Sequence, residues 1–258
     1  MQATNFWNKF NIHGYKVIIL TLLLVGSGLN TYGQRNIKLN LQNFDNRFVH
    51  FGYLIGLHSS KARIEYSDQY IQGEPGSFQG FLDSLHSIIP QNSPGFKVGF
   101  IANFHILQYL DIRALIQVSF SEYSFNYRFT KPEQDNIIEV RDPTTVEVPI
   151  LFKYKSVRRG NVGMYFVGGI KPYFQAAARG ERDDEFKGMS TKKFGASIDV
   201  GVGFDMFYPL FKFSPEVRYS YGLTNMLKDD PNNAFNAPLK RLVYHNISLF
   251  ITFEGGPD

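Results

Sequence analysis

The side chains of this sequence that could act as nucleophiles or metal ligands are few and scattered. Five histidines follow residue 33, namely His50, His58, His86, His105 and His245. None has the paired spacing of metal ligands or stands beside a recognisable nucleophile motif. The absence of cysteine excludes thiol catalysis and cysteine-based metal sites, and no glycine-rich phosphate loop follows a strand and opens a helix. The sequence therefore predicts no catalytic residue, no cofactor and no metal site.

A second set of ionisable residues lies in stretches where apolar and polar side chains alternate. Between residues 194 and 210 every even position is apolar, whereas the odd positions from Gly195 to Asp205 are small or acidic. Seventeen residues exceed the usual strand length of about 3–10. The pattern favours a strand with lipid on one side and a barrel interior on the other. On this reading Val202→Arg should cost roughly 2–4 kcal/mol, and the inward Gly203→Ser less.

Alternation with a period of two recurs along the chain and predicts eight strands in all. Besides residues 194–210, the stretches are 49–57, 96–106, 111–120, 146–154, 164–174, 212–223 and 243–253. The connections after the second, fourth and sixth strands are short, whereas the others are long and polar, as expected for periplasmic turns and extracellular loops. The predicted fold is all-β: an eight-stranded antiparallel transmembrane outer-membrane β-barrel with long extracellular loops, one of them carrying a short helix.

The beginning of the chain is typical of an exported protein. An apolar run from Val17 to Leu29 follows Lys9 and Lys16 and is shorter than the roughly 20 residues of a transmembrane helix. We interpret residues 1–33 as a signal peptide, 34–47 as a short periplasmic segment and 48–258 as the barrel, with a short N-terminal membrane anchor as the alternative. Without residues 1–33, 25 basic and 23 acidic residues leave a net charge of +2, too small to predict a nucleic-acid partner. The expected location is the outer membrane of a Gram-negative cell.

Nine charged residues fall on the inward side of the predicted strands. They are Lys97, Arg113, Glu147, Lys153, Lys171, Asp199, Asp205, Glu216 and Arg218. An eight-stranded interior is just wide enough for side chains to fill it, so these charges must pair with one another. The prediction is a packed ionic core without a channel, and the alternative is a path for protons or a solute.

Two stretches outside the regular strands carry apolar patterns of their own. In the first long loop, residues 59–94, helical spacing and a capping Ser77 predict a helix that either covers the barrel mouth or docks a partner. The candidate partner surface consists of Phe78, Phe81, Leu82, Leu85 and Ile88. After Phe120 the apolar phase slips to the set Tyr123, Phe125, Tyr127 and Phe129. A bulge near Glu122 or an interfacial aromatic girdle would explain the slip, and the girdle is preferred.

Four stretches resemble the PorT family of Bacteroidota, outer-membrane proteins associated with type IX secretion and gliding motility. They are NFDNRFVHFGYLIGL at residues 43–57, SPGFKVGFIANFHILQYLDIRALIQVSF at 93–120, VEVPILFKYKS at 146–156 and KFSPEVRYSYGLTNML at 212–227. The resemblance covers most of the chain from Asn43 onwards. It implies an accessory or assembly component for the export of effectors that carry a C-terminal sorting domain, and it implies no catalytic residues.

Three functions follow as hypotheses. The first is the secretion accessory, whose expected partners are outer-membrane lipid and other type IX components, with no nucleic acid and no small-molecule substrate. The second is an adhesion barrel that acts through its extracellular loops. The third is a hydrolase at the outer rim, where His58 and His86 are the candidate pair.

Overall fold

The computed structural model describes residues 38–73, 79–130, 136–179, 188–230 and 233–255. The signal-peptide prediction for residues 1–33 and the partner-surface residue Phe78 lie outside these ranges. Within them, no helix is both long and apolar enough to cross a membrane. The part that is described is dominated by long antiparallel strands.

Eleven strands and two short helices form the described part of the chain. The strands are β1 (Val49–Tyr66), β2 (Leu85–Gln91), β3 (Ser93–Leu107), β4 (Leu110–Phe120), β5 (Tyr123–Phe129), β6 (Ile137–Glu147), β7 (Ile150–Lys155), β8 (Val162–Arg179), β9 (Phe194–Phe207), β10 (Phe211–Gly222) and β11 (Leu239–Gly255). The helices are α1 (Asp68–Gln72) and α2 (Gln79–Ser84), and a 3-10 turn spans Phe44–Asn46.

The strands close into a ring. Each neighbour in the order β1, β3, β4, β6 with β7, β8, β9, β10 and β11 pairs antiparallel with the next, and β11 pairs with β1. Strands β6 and β7 share one position of the ring, and the break between them falls at Val148 and Pro149, where proline lacks the N–H of a regular ladder. The prediction of an all-β antiparallel barrel is confirmed.

The two faces of the ring carry opposite chemistry. On β10, Glu216 and Arg218 are each 1% exposed, whereas Val217 between them is 49% exposed. Long apolar side chains such as Phe51, Phe100 and Phe194 lie on the outside, each more than half exposed. An apolar exterior around a charged interior is the arrangement of a barrel that lies in lipid.

The structure corrects the extent of the short helix predicted in the first loop. Helix α2 ends at Ser84, and residues Leu85–Gln91 form strand β2, which pairs with β5. The predicted partner surface is also wrong for Leu82, Leu85 and Ile88, which are 7%, 5% and 3% exposed. Phe81 packs beside them, with its ring centroid 5.7 Å from that of Phe235. These side chains cover the barrel mouth instead of offering a docking surface.

The proposed aromatic girdle after Phe120 is wrong as well. Strand β5 pairs with β2 on one side and with β6 on the other, which places it above the ring. Tyr123, Phe125 and Tyr127 are at most 5% exposed, so their rings lie in a core and not at the lipid interface. The slip in phase marks the start of a separate strand.

Candidate functional site

The interior of the ring contains a continuous chain of ion pairs, which begins near the periplasmic end. Lys212 Nζ lies 2.8 Å from Glu254 Oε2, and Arg113 Nη2 lies 3.2 Å from Glu254 Oε1. The other terminal nitrogen of Arg113 donates to Glu216 at 2.9 Å. Beside them, Lys153 donates to both carboxylate oxygens of Asp205, at 2.9 and 2.6 Å.

The chain of charges continues toward the extracellular end. Arg218 donates through Nε to Glu216 at 2.7 Å, and its Nη1 lies 3.9 Å from Asp199. Lys171 lies between two acids, with Nζ 3.6 Å from Asp199 and 3.6 Å from Glu147. Glu147 in turn accepts from Lys97, whose Nζ is 3.1 Å from both carboxylate oxygens.

All nine residues expected inside the barrel are buried and take part in these pairs; none is more than 4% exposed. Sequence reasoning missed two members, Lys212 and Glu254, which are 1% and 0% exposed. The eleven groups comprise six cations and five anions, so the charges nearly cancel. A buried charge is tolerated when it is paired, and each of the eleven groups lies within 3.9 Å of an opposite charge.

Tyr165 links the two branches of the network. Its hydroxyl donates to Glu216 at 2.8 Å, and Lys153 Nζ lies 3.8 Å from the centre of its ring. A cation over an aromatic face is attracted by the ring quadrupole, more strongly where water is excluded. Nothing in the sequence distinguishes Tyr165 from the tyrosines of the barrel exterior except its odd position in β8, the inward side.

The periplasmic end of the ring is covered by the segment that precedes β1. Phe44 is 1% exposed, stacks on His50 with ring centroids 4.1 Å apart, and meets Lys212, whose Nζ is 4.7 Å from its ring centre. The side-chain amide of Asn40 donates to the carbonyl of Phe207 at 3.0 Å. Residues 39–47 thus form a plug for the periplasmic mouth, and we call them the N-terminal plug.

A cavity of about 180 Å³ lies beside the N-terminal plug at the same end. Asp45, Lys155 and Asp205 are among the residues that line it. Lys155 Nζ is 2.9 Å from the carboxylate of Asp111 and 3.7 Å from that of Asp45. Charged side chains therefore line the periplasmic side of the ring, at the foot of the ionic network.

The extracellular end is covered by an apolar core that we call the cap. Its buried members are Ala62, Leu85, Ile88, Tyr123, Phe125, Tyr127, Met189, Met226, Leu227, Phe235, Leu239, Leu242 and Tyr244. Tyr127 donates to the carbonyl of Phe235 at 3.1 Å. Burial raises the pKa of Tyr127, which keeps its hydroxyl protonated as a donor.

Between the cap and the ionic network lies a cavity of only about 20 Å³. Tyr123 and Tyr244, stacked with centroids 3.9 Å apart, line it together with Glu147 and Lys171. This volume holds about one water molecule. In the described residues the lumen is therefore filled by side chains from end to end, as expected for eight strands.

The two histidines proposed for a rim hydrolase lie in different environments. His58 is 5% exposed inside the barrel, and its Nε2 is 3.0 Å from Ser121 Oγ. Its Nδ1 has no hydrogen-bond partner in the described residues, so the third group that orients a catalytic histidine is missing there. His86 lies on the exposed side of β2. The described contacts do not bring the two rings together.

The fold defines a small membrane barrel, and comparison with known sequences agrees that the chain is an outer-membrane barrel. Residues 34–228 match the family described as outer membrane protein beta-barrel domain. The chain belongs to this family, and its location is the outer membrane. No curated protein matches the chain.

Solved structures of small outer-membrane proteins resemble the chain at low identity. Outer membrane protein OprG from Pseudomonas aeruginosa is 12% identical, with 81% of this chain and 93% of that chain covered and a TM-score of 0.45. The attachment invasion locus protein Ail of Yersinia pestis is 11% identical, with coverages of 81% and 99% and a TM-score of 0.37. Neisserial surface protein A is 14% identical, with coverages of 78% and 95% and a TM-score of 0.38.

Proposed function

We propose that this protein is a non-enzymatic accessory or assembly barrel of the type IX secretion system, which acts through its surfaces and not as a pore. The observation that supports this proposal is the filled lumen, in which eleven charged side chains pair with one another. A barrel without a channel contributes to export by binding other components. Its expected partners are outer-membrane lipid and other proteins of the secretion machine.

The resemblance to the PorT family supplies the link to type IX secretion. Its most specific motif, KFSPEVRYSYGLTNML, forms strand β10 and the connection after it. Met226, near the end of the motif, is fully buried in the cap. Five polar residues of the motif point inward, namely Lys212, Ser214, Glu216, Arg218 and Ser220. The motif residues thus form the barrel interior. The resemblance therefore concerns the architecture of the barrel and implies no catalytic role.

The periplasmic turns are the surface on which a secretion partner would bind. Leu107, Val157 and Leu210, in or beside the three short turns, are 61%, 66% and 77% exposed. Exposed apolar side chains grouped at one end of a protein are typical of interaction sites. Components that span the periplasm would reach this end of the barrel first.

A second candidate function is adhesion, and the cap favours it. The described parts of the extracellular connections pack into an apolar core with its own strands β2 and β5, and so present a fixed surface. Ile71 in helix α1 is 67% exposed on that side. A preformed surface binds a partner without the entropic cost of ordering a loop.

A complementation experiment tests the two candidates against each other. A deletion strain receives the wild-type gene, the variant Val157→Asp with Leu210→Asp, or the control Ile71→Asp. Secretion of a cargo with a C-terminal sorting domain is measured, and fractionation verifies that each variant reaches the outer membrane. The accessory role predicts loss of secretion in the deletion strain and in the turn variant, and normal secretion in the Ile71 variant.

Normal secretion in the deletion strain would overturn the accessory role. Adhesion would then be tested by attachment of the same strains to host or abiotic surfaces, where the Ile71 variant is expected to fail. If the turn variant alone secretes normally although the deletion strain does not, the partner binds elsewhere and the periplasmic assignment is wrong.

A further inference from the structure

A groove of about 610 Å³ lies on the outer wall of the barrel, on the side formed by β1, β10 and β11. Lys61 and Arg63 of β1 line it, and both side chains are exposed. Asn92, which precedes β3, lies at one border of the groove, and Tyr219 and Tyr221 of β10 lie at the opposite border. Two cations therefore lie in a concave site on the surface that faces the membrane.

The height of the groove can be read from strand β1. Its outward side chains are apolar from Phe51 to Leu57 and become polar from Ser59 onwards, with Lys61 and Arg63 next. Lys61 lies ten residues beyond Phe51, which at about 3.3 Å per residue and a tilt of about 40° is roughly 25 Å of height. The apolar band of such barrels is also about 25 Å tall. Lys61 therefore lies at the outer boundary of the hydrocarbon.

Lys61 and Arg63 are not paired with acidic side chains in the part of the chain that the structure describes. Among the described residues, neither Lys61 nor Arg63 takes part in an ion pair, whereas Glu65 on the same face pairs with Arg241 at 3.5 Å. The pairing of β1 with β3 ends at Ser60, and beyond it β1 pairs with β11 alone. The groove thus combines two unneutralised cations with an open strand edge, whose N–H groups are further donors.

The walls of the groove suit a molecule with an apolar part. Tyr221 packs on His245 with ring centroids 4.7 Å apart, and the hydroxyl of Tyr219 is 3.4 Å from His245 Nδ1. Amphipathic rings of this kind are enriched at membrane interfaces. Directly below, toward the membrane centre, the outward Ile247 and Leu249 are 58% and 52% exposed. A ligand that places a charge on Lys61 would lay its hydrocarbon along these two side chains.

We propose that this groove binds a phosphorylated glycolipid of the outer leaflet, with a phosphate on Lys61 and Arg63 and an acyl chain against Ile247 and Leu249. Guanidinium and ammonium groups form strong charge-assisted hydrogen bonds to phosphate oxygens. The occupant is a lipid and not a free anion, because the site opens toward the membrane and continues into an apolar wall. This inference rests on the outer-membrane location and is independent of a role in secretion.

The test uses the purified, folded full-length protein and diphosphorylated lipid A as the probe. Native mass spectrometry measures how much lipid A the protein retains as detergent is removed by collisional activation. The variant Lys61→Ala with Arg63→Ala is expected to lower the affinity about tenfold or more, since one hydrogen bond to a charged group contributes about 1.5–3 kcal/mol. Dephosphorylated lipid A should bind the wild-type protein as weakly as lipid A binds the variant.

The matched control is Lys240→Ala with Arg241→Ala, which removes the same charge from a nearby surface. These two cations already pair with Asp68 at 2.9 Å and with Glu65 at 3.5 Å, so the control should retain lipid A. An equal loss of lipid A binding in both variants would show that net charge alone explains the effect, and would contradict the proposed site. Equal binding of dephosphorylated lipid A, or displacement by inorganic phosphate alone, would overturn the assignment to a phosphorylated lipid. A shift in gel mobility on heating verifies that each variant is folded.

Discussion

Arg113 is the residue on which the lumen depends most. It is fully buried and bridges two carboxylates of different strands, Glu216 on β10 and Glu254 on β11, from its own place on β4. The guanidinium lies 5.3 Å from the ring centre of Tyr165 as well. A planar group with several donors fits this position, whereas the single ammonium of lysine cannot bridge both acids in the same geometry.

Replacement of Arg113 by Met should destabilise the barrel strongly, because Glu216 and Glu254 stay buried and each loses one of its two cationic partners. Removal of one partner from a buried pair costs about 3–5 kcal/mol. Urea denaturation, followed by gel mobility of the protein in detergent, measures the free energy of unfolding. The control Lys240→Met breaks an exposed pair, which solvent screens, and should leave the stability nearly unchanged. Similar losses in both variants would mean that the lumen pairs contribute no more than surface pairs.

Gly203 shows where residue type alone misleads. Its inward position suggested that Gly203→Ser would be mild, but an added Cβ would lie 2.5 Å from the Tyr165 ring and 2.8 Å from the carbonyl oxygen of Pro215. The variant should therefore cost about 1–3 kcal/mol by overpacking. Gly163→Ser is the control, since a Cβ there meets nothing within 4 Å. The same denaturation experiment compares the two, and equal stability would show that Tyr165 moves aside freely.

At the scale of the element, strands that alternate between lipid and lumen were predictable, because each residue faces one of two very different environments. The segments whose structure was predicted wrongly are those that pair with residues far away in the sequence. Leu85, Ile88 and Ile89 follow helical spacing, yet residues 85–89 belong to a strand because β2 pairs with β5. Lys212 opens the alternating stretch 212–223 and Glu254 directly follows the stretch 243–253, and at a strand end the sequence alone does not show that a side chain still lies inside the barrel. The cap depends on contacts that no local pattern records.

The outward face of β9 provides a test of the orientation of the strands. Val202 lies in the middle of this strand and pairs with the outward Phe166 and Val217. Val202→Arg should cost about 2–4 kcal/mol, whereas Leu210→Arg, at the turn after the strand, should cost about 0–1 kcal/mol, because the cost depends on depth. Refolding into lipid vesicles followed by urea titration measures both. A larger cost at Leu210 than at Val202 would contradict the assigned position of the membrane along the strands.

The whole molecule is a barrel closed by three layers: the N-terminal plug, the ionic network and the cap. Each layer uses a different interaction, namely aromatic stacking, charge pairing and apolar packing. Beside the ionic network, the cavity under the cap measures about 20 Å³ and the one at the N-terminal plug about 180 Å³. Packed side chains therefore fill the interior of the barrel between the N-terminal plug and the cap.

A closed lumen predicts that the protein does not conduct ions. In a planar lipid bilayer under applied voltage, the purified full-length barrel should produce no stable conductance steps, whereas a general porin in the same bilayer should. Stable steps with a fixed amplitude would show that the network opens a path, and would revive the alternative of proton or solute transfer. Heat-modified gel mobility before the measurement verifies that the protein is folded.

The N-terminal plug also determines the order in which the molecule can be completed. Its Asn40 accepts a hydrogen bond through its carbonyl from Arg158, and its Phe44 packs against Phe207 and Lys212, which belong to β9 and β10. This segment precedes every strand in synthesis, yet its binding place exists only after those late strands have joined the wall. The first part of the described chain to be made therefore cannot dock until β9 and β10, near the end of the sequence, are in place.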